Sequence, residues 1–172
     1  MPTLIDVSLE YNDEEKSQIS QMRDWILEKP YMGYIEPDVA DVYGSFEMAE
    51  PFLKNYLKRR SIPFEWSVNR RTLEQRIMPI NIYVFGDVGN HIDDLTTVDY
   101  GVLLFPLVGG GELKHISMET GKFTKTSFTP QHNCGYFMDD KRTHSFKQHS
   151  DECMGRTYAI IFDIQKKYFV TA

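Results

Sequence analysis

Apolar residues recur three and four positions apart in the first part of the chain. Between residues 13 and 28, Ile19, Met22, Trp25 and Ile26 follow the spacing that lines one face of an α-helix. Asn12 stands at the N-cap and Glu15 three residues on, the two halves of a capping box, and Pro30 ends the segment. A second helix is predicted over 51–60. Pro51 suits a first turn, and Phe52, Leu53, Tyr56 and Leu57 share a face. Pro63 closes it. From Phe64 the period drops to two. Short apolar segments at 64–68, 79–85, 100–107, 112–117, 122–128, 135–138, 143–147 and 157–163 read as strands. Between them lie turn signals such as Gly86-Asp87, Gly109-Gly110-Gly111, Thr120-Gly121 and Asp139-Asp140.

Many short strands with regular turns predict a sandwich or barrel. Two of them, GVLLFPLV and TYAIIFDI, are apolar on both faces. A strand reads this way when both faces are covered. One face is expected to line the barrel and the other to lie beneath the helices. Pro106 lacks an amide donor, so it is expected at a strand end or an edge. A length of 172 residues fits one domain, with residues 1–63 as a helical N-terminal part and 64–172 as the β core.

Composition adds limits. With 41% hydrophobic and 26% charged residues, the chain can build a core. No apolar run reaches the ~18 residues of a membrane span. The N-terminus carries neither a basic start nor an apolar signal core. Two cysteines, Cys134 and Cys153, are too few for a disulfide framework, so a reducing, cytoplasmic location is expected. The net charge of −6 is uneven: the first fifty residues hold 12 acids against 3 bases, and the remainder 13 against 16. The sum argues against a nucleic-acid partner. Lys54, Lys58, Arg59, Arg60, Arg70, Arg71 and Arg76 form a basic stretch. It reads as a rim for an acidic partner or as a solvated face neutralised by the acidic first helix.

The sharpest local feature is His91-Ile92-Asp93, after an apolar strand and a Gly-rich turn. In extended chain, residues i and i+2 point the same way, so an imidazole and a carboxylate share a point. His144 lies 51 positions beyond Asp93, far enough to return on a neighbouring strand. Two histidines and a carboxylate leave open positions on a metal, as in non-haem Fe(II) oxygenases. His149 is the rival third ligand, in a polar run. His115 reads as a rim residue and His132 as a solvated one. Arg156 opens an otherwise apolar strand, where its fork would match a carboxylate, and Tyr158 is expected to point the same way. Its other reading is an ion pair with an acid. Cys134, at the head of the strand leading toward His144, reads as a small buried hydrophobe.

In order, His91-Ile92-Asp93, YGVLLFPLVGGGEL, GYFMDDKRTHSF and GRTYAIIF resemble the Fe(II)/2-oxoglutarate-dependent oxygenases, particularly the prolyl-4-hydroxylase-like branch. The likeness covers roughly residues 80–163. It implies a mainly β fold, a double-stranded β-helix or jelly roll with buttressing N-terminal helices. It also implies that His91, Asp93 and His144 hold Fe(II), and that Arg156 binds the distal carboxylate of 2-oxoglutarate. Leu104 and Phe105 stand where many relatives carry a tyrosine, so Tyr83 or Tyr158 would supply that hydroxyl. The implied reaction is a hydroxylation of a peptidyl side chain or small molecule. It uses dioxygen, with ascorbate a candidate reductant, and releases succinate and carbon dioxide. Ligation needs neutral imidazoles, so metal affinity is expected to fall below about pH 6.5. The alternative is a cupin-like jelly roll that binds a metal or a partner without turnover.

Overall fold

A computed structural model describes residues 10–35, 41–44, 46–60, 80–91, 101–116, 120–138, 143–149 and 152–164. The expected strand at 64–68 and the carboxylate of Asp93 lie outside the described residues. Helix α1 spans Asp13–Glu28, as its periodicity predicts. The capping box is complete: Glu15 N donates to Asn12 Oδ1 at 2.8 Å, and Asn12 N donates to Glu15 Oε1 at 2.9 Å. Asp13, Glu14 and Glu15 place negative charge at the positive end of the helix dipole. Ile19, Met22 and Ile26 are buried, whereas Trp25 sits at the rim of that face and packs edge-on against Tyr43.

Helix α2 spans Phe46–Arg59 and starts five residues before the predicted position, which leaves Pro51 inside it. The proline removes one intrahelical donor. The helix continues through it because Ala49, Phe52, Leu53, Tyr56 and Leu57 bury one continuous face. The two helices are joined by an ion cluster. Glu15 is fully buried and accepts from Arg59 at 2.9 Å and from Arg60 at 2.8 Å. The Arg60 guanidinium also lies 3.6 Å from the centre of the Tyr56 ring. A buried carboxylate is tolerated because both partners meet it.

The strands are β1 (Asp41–Gly44), β2 (Ile80–Phe85), β3 (Val88–His91), β4 (Gly101–Val108), β5 (Gly111–Ile116), β6 (Phe123–Phe128), β7 (Tyr136–Met138), β8 (His144–Gln148) and β9 (Thr157–Ile164). A one-turn helix, α3 (Glu152–Gly155), precedes β9. One sheet runs β1-β2-β9-β4-β7 and the other β3-β8-β5-β6, all pairs antiparallel. Neighbours distant in sequence and two facing sheets make a jelly-roll β-sandwich. β1 and β3 carry no apolar run, and the sequence pattern does not announce them.

The two all-apolar strands, β4 and β9, lie side by side inside the five-stranded sheet. On its outer face Leu103, Phe105, Leu107, Tyr158, Ile160 and Phe162 pack under both helices. On its inner face Leu104 and Ala159 meet Phe128 and Phe146 of the second sheet, with Tyr83, Val88, Tyr136 and Ile161 at their margin. Arg23 of α1 donates to the Leu107 carbonyl at 3.1 Å and ties the helix to β4. Pro106 lies within β4, near its end. It is tolerated where the register with β9 shifts, beyond the last residue that pairs with β7. The triple glycine closes the β4–β5 turn tightly: a Cβ on Gly111 would collide with the Lys147 carbonyl.

Candidate metal centre

β3 ends at His91 and β8 begins at His144, and these two residues are direct cross-strand partners. Directly opposed residues point to the same face of a sheet. That face is the inner one, because Phe146, two residues from His144, belongs to the core between the sheets. The two ring centres are 4.2 Å apart with planes at 61°. Two imidazoles bound at right angles to one cation, at ~2.1 Å from each nitrogen, bring their ring centres to about 4–5 Å. The observed pair meets that condition.

The tautomer of His91 is also set. Its Nδ1 lies 2.9 Å from the Gly89 carbonyl, which can only accept. The proton is therefore on Nδ1. Metal-ligating histidines are held in this way by a backbone carbonyl or a carboxylate. His144 is only 5% exposed, which keeps its ring out of bulk water.

β5 adds a third histidine to the row. His115 is the cross-strand partner of His144 on the other side, and its Nε2 is 3.0 Å from Thr124 Oγ1. The alternation Leu113, His115 was the signal in the sequence for this inward placement. Among the described residues, no group of three or more His, Cys, Asp or Glu side chains is spaced to hold a cation. The third ligand expected from the sequence, Asp93, is outside them.

His149, the rival ligand, is not near this pair. It is exposed at the opposite end of the second sheet, where with the triple glycine it lines a polar cavity of about 270 Å³. Its amide donates to the Gly110 carbonyl at 3.0 Å. His132 is exposed, with Nδ1 2.6 Å from the Tyr136 hydroxyl.

The residues expected to hold 2-oxoglutarate separate. Tyr83 faces the space between the sheets. Arg156 and Tyr158 do not, and the expectation for both is corrected by the phase of β9. Ala159 and Ile161 point inward, while Tyr158, Ile160 and Phe162 point to the helices. Arg156 donates to the main-chain carbonyls of Tyr31 and Gly33, the latter at 2.8 Å. Tyr158 is fully buried, and its hydroxyl accepts from Tyr31 N at 3.0 Å. The inward residue at the head of β9 is Thr157, whose hydroxyl donates to Gln148 Oε1 across the sandwich. Of the two residues that stand where many relatives carry a tyrosine, Leu104 faces inward and Phe105 packs against Phe52 and Tyr56.

Part of the basic stretch is neutralised. Arg59 and Arg60 bind Glu15, and Lys54 lies 3.4 Å from Glu50. Arg70, Arg71 and Arg76 are outside the described residues.

No family model matches the sequence, and no curated protein is similar to it. Solved structures are similar in fold. A Pseudomonas putida prolyl-4-hydroxylase superposes with a TM-score of 0.54 at 10% identity, covering 94% of this chain and 95% of that one. The Drosophila melanogaster CENP-C cupin domain gives 0.42 at 8% identity, over 90% of this chain and 100% of that one. Fe(II)-HppE gives 0.33 at 17% identity over 52% of this chain, which spans 45% of the HppE chain. The fold is of the jelly-roll kind.

Proposed function

We propose that this chain is a non-haem metal-dependent oxygenase of the jelly-roll type, holding Fe(II) through His91 and His144, with Asp93 as the third ligand. The observation that carries the reading is the paired imidazoles, one with its tautomer set by Gly89. When bound, Fe(II) supplies dioxygen activation and oxidation of an organic substrate, a peptidyl side chain or a small molecule. The chain's own residues do the rest. The Gly89 carbonyl orients the His91 ring, burial shields His144, and Phe85, Phe128 and Phe146 keep water out of the space beneath. 2-Oxoglutarate is the co-substrate implied by the sequence resemblance. Arg156 and Tyr158 do not fit it in the arrangement observed, so no step is assigned to it. Among the described residues no helix is long and apolar enough to cross a membrane. A reducing, cytoplasmic setting is part of the proposal, with Cys134 and Cys153 as half-buried thiols.

The test is Mn(II) binding followed by electron paramagnetic resonance. Wild-type protein is expected to bind one Mn(II). His91→Ala, His144→Ala and Asp93→Ala should each weaken it tenfold or more while circular dichroism stays unchanged. Wild-type affinity in all three variants would refute the site. A second reading, a barrel that holds a cation without turnover, is favoured by the aromatic rings that fill the interior. Phe85 and Phe128 each pack edge-on against Phe146, at 5.3 Å and 5.4 Å. Oxygen uptake by the Fe(II)-loaded protein separates the two readings.

A further inference from the structure

We propose that the outer face of the four-stranded sheet docks an extended acidic peptide. This face lies on the other side of the sheet from the histidine row and depends on no metal.

Its outline follows from strand phase. Leu113, Phe128 and Phe146 are buried, and positions alternate from them along each strand. Glu112 and Lys114 of β5, Phe123, Lys125 and Ser127 of β6, and Lys147 of β8 therefore face outward. Pairing sets their places. Lys114 is directly opposite Lys125, and Glu112 is opposite Lys147 on one side and Ser127 on the other. Phe123 is 46% exposed and the Lys125 side chain 64%. Lys147 is exposed as well.

Two features point to an anionic partner. Like charges directly opposed on a sheet work against stability, and Lys114 and Lys125 are such a pair. The outward positions of β5, β6 and β8, all described, hold three lysines against one carboxylate, Glu112. Glu112 Oε1 lies 3.5 Å from Lys125 Nζ, with both side chains open to water. A pair of that kind contributes at most about 1 kcal/mol, so an incoming carboxylate can replace it. The second feature is the Lys114 ammonium, 4.5 Å from the centre of the Phe123 ring. A cation against an exposed ring makes one surface both basic and apolar.

The spacing suits an extended chain. Lys147 stands two residues beyond Ser145, the partner of Lys114, so the two lysines are diagonal neighbours. Diagonal neighbours are ~7–8 Å apart. Alternate side chains of an extended peptide are ~6.7 Å apart. An acid at every second position therefore meets the Lys114–Lys125 pair and Lys147 in turn. The cavity at the glycine turn adjoins this face, because Ser127 belongs to both, and Thr129, Gln131 and His149 offer polar groups there. The net charge of −6 does not oppose docking. The acidic α1 packs on the outer face of the other sheet, at the far side of the sandwich.

Fluorescence anisotropy with short labelled peptides tests this, with glutamate or glutamine at every second position. At low salt the glutamate peptide is expected to bind the wild type at least tenfold more tightly than the glutamine peptide. That advantage should shrink as salt rises. Lys125→Glu should weaken binding tenfold or more, and Lys125→Gln less, with circular dichroism unchanged. Lys58→Glu makes the same change in charge at an exposed position of α2 and should leave the affinity within twofold. Equal affinity for the two peptides, no binding of either, or equal losses in Lys58→Glu and Lys125→Glu would each overturn the proposal. Tighter binding of a labelled thymidine oligonucleotide, or salt-sensitive self-association that Lys125→Glu abolishes, would give the face to another occupant and overturn it too. Should Lys125→Glu fail to fold, weaker binding in Lys125→Gln and Lys147→Gln supports the site, and unaltered affinity in both refutes it.

Discussion

Tyr43 donates its hydroxyl to the Lys29 carbonyl at the end of α1 and packs edge-on against Trp25 and Tyr158. Burial first, and then the neighbouring Tyr158 and Cys153, push its pKa up to about 12. The unfolded chain releases that proton near pH 10. A raised pKa means that the folded state holds the proton more tightly. The stabilisation is therefore whole below pH 10 and is lost as pH rises through 12. Tyr158 is shifted in the same direction, again mainly by burial. We expect a melting temperature that is level at pH 8–9.5 and falls between pH 10 and 12, with a shallower fall in Tyr43→Phe. An identical alkaline slope in that variant would remove Tyr43 from the effect. At the same scale, Arg156 shows what residue type cannot tell. A strand has period two, so a one-residue offset moves a side chain to the other face. GRTYAIIF contains an arginine, but nothing in those letters sets the phase. The packing of Ala159 inward and Tyr158 outward sets it.

The elements differ in how openly the sequence declares them. α1 carries its own start signal, its acidic first turn and its apolar stripe, all local, and its limits follow. α2 does not. Burial of Ala49 stabilises its first turn, and Pro51 points to a later start. β1 and β3 are four residues each and form only by pairing with β2 and β8. The joint between α1 and α2 is a consequence of packing. Glu15 looks like half of a capping box in the sequence, and it also anchors Arg59 and Arg60 from the other helix. Glu15→Ala leaves Arg60, whose side chain is 4% exposed, without its carboxylate partner. Breaking a buried pair in this way costs about 3 kcal/mol. Urea unfolding should show that loss as a lower midpoint with an unchanged slope. A loss under about 0.5 kcal/mol would mean the cluster is solvated and adds no more than a surface pair.

For the whole molecule, cation binding and stability are linked. A ligand present at a hundred times its dissociation constant and binding only the folded state adds about 2.7 kcal/mol. Mn(II) should therefore raise the melting temperature of the wild type and leave that of His144→Ala unmoved. An equal rise in both would place the ion elsewhere. The charge asymmetry also takes a structural form. Glu15 and Glu50, from the acidic first fifty residues, meet Arg59, Arg60 and Lys54 of the basic stretch. Part of the imbalance is thus spent inside the helical layer and says nothing about a partner.

The sequence by itself determined the elements whose signals are local. These are α1 with its cap, the doubly apolar β4 and β9, the glycine turn between β4 and β5, and two histidines spaced to return to one place. Each follows from periodicity, a capping pattern or burial on both faces. The tertiary structure decided what depends on register and phase. It set His91 opposite His144 and brought His115 into the same row. It turned Arg156 and Tyr158 toward the helices, and paired Thr157 with Gln148 across the sandwich. Those relations are set by which strands are neighbours and by which face is covered, and both are properties of the packed chain.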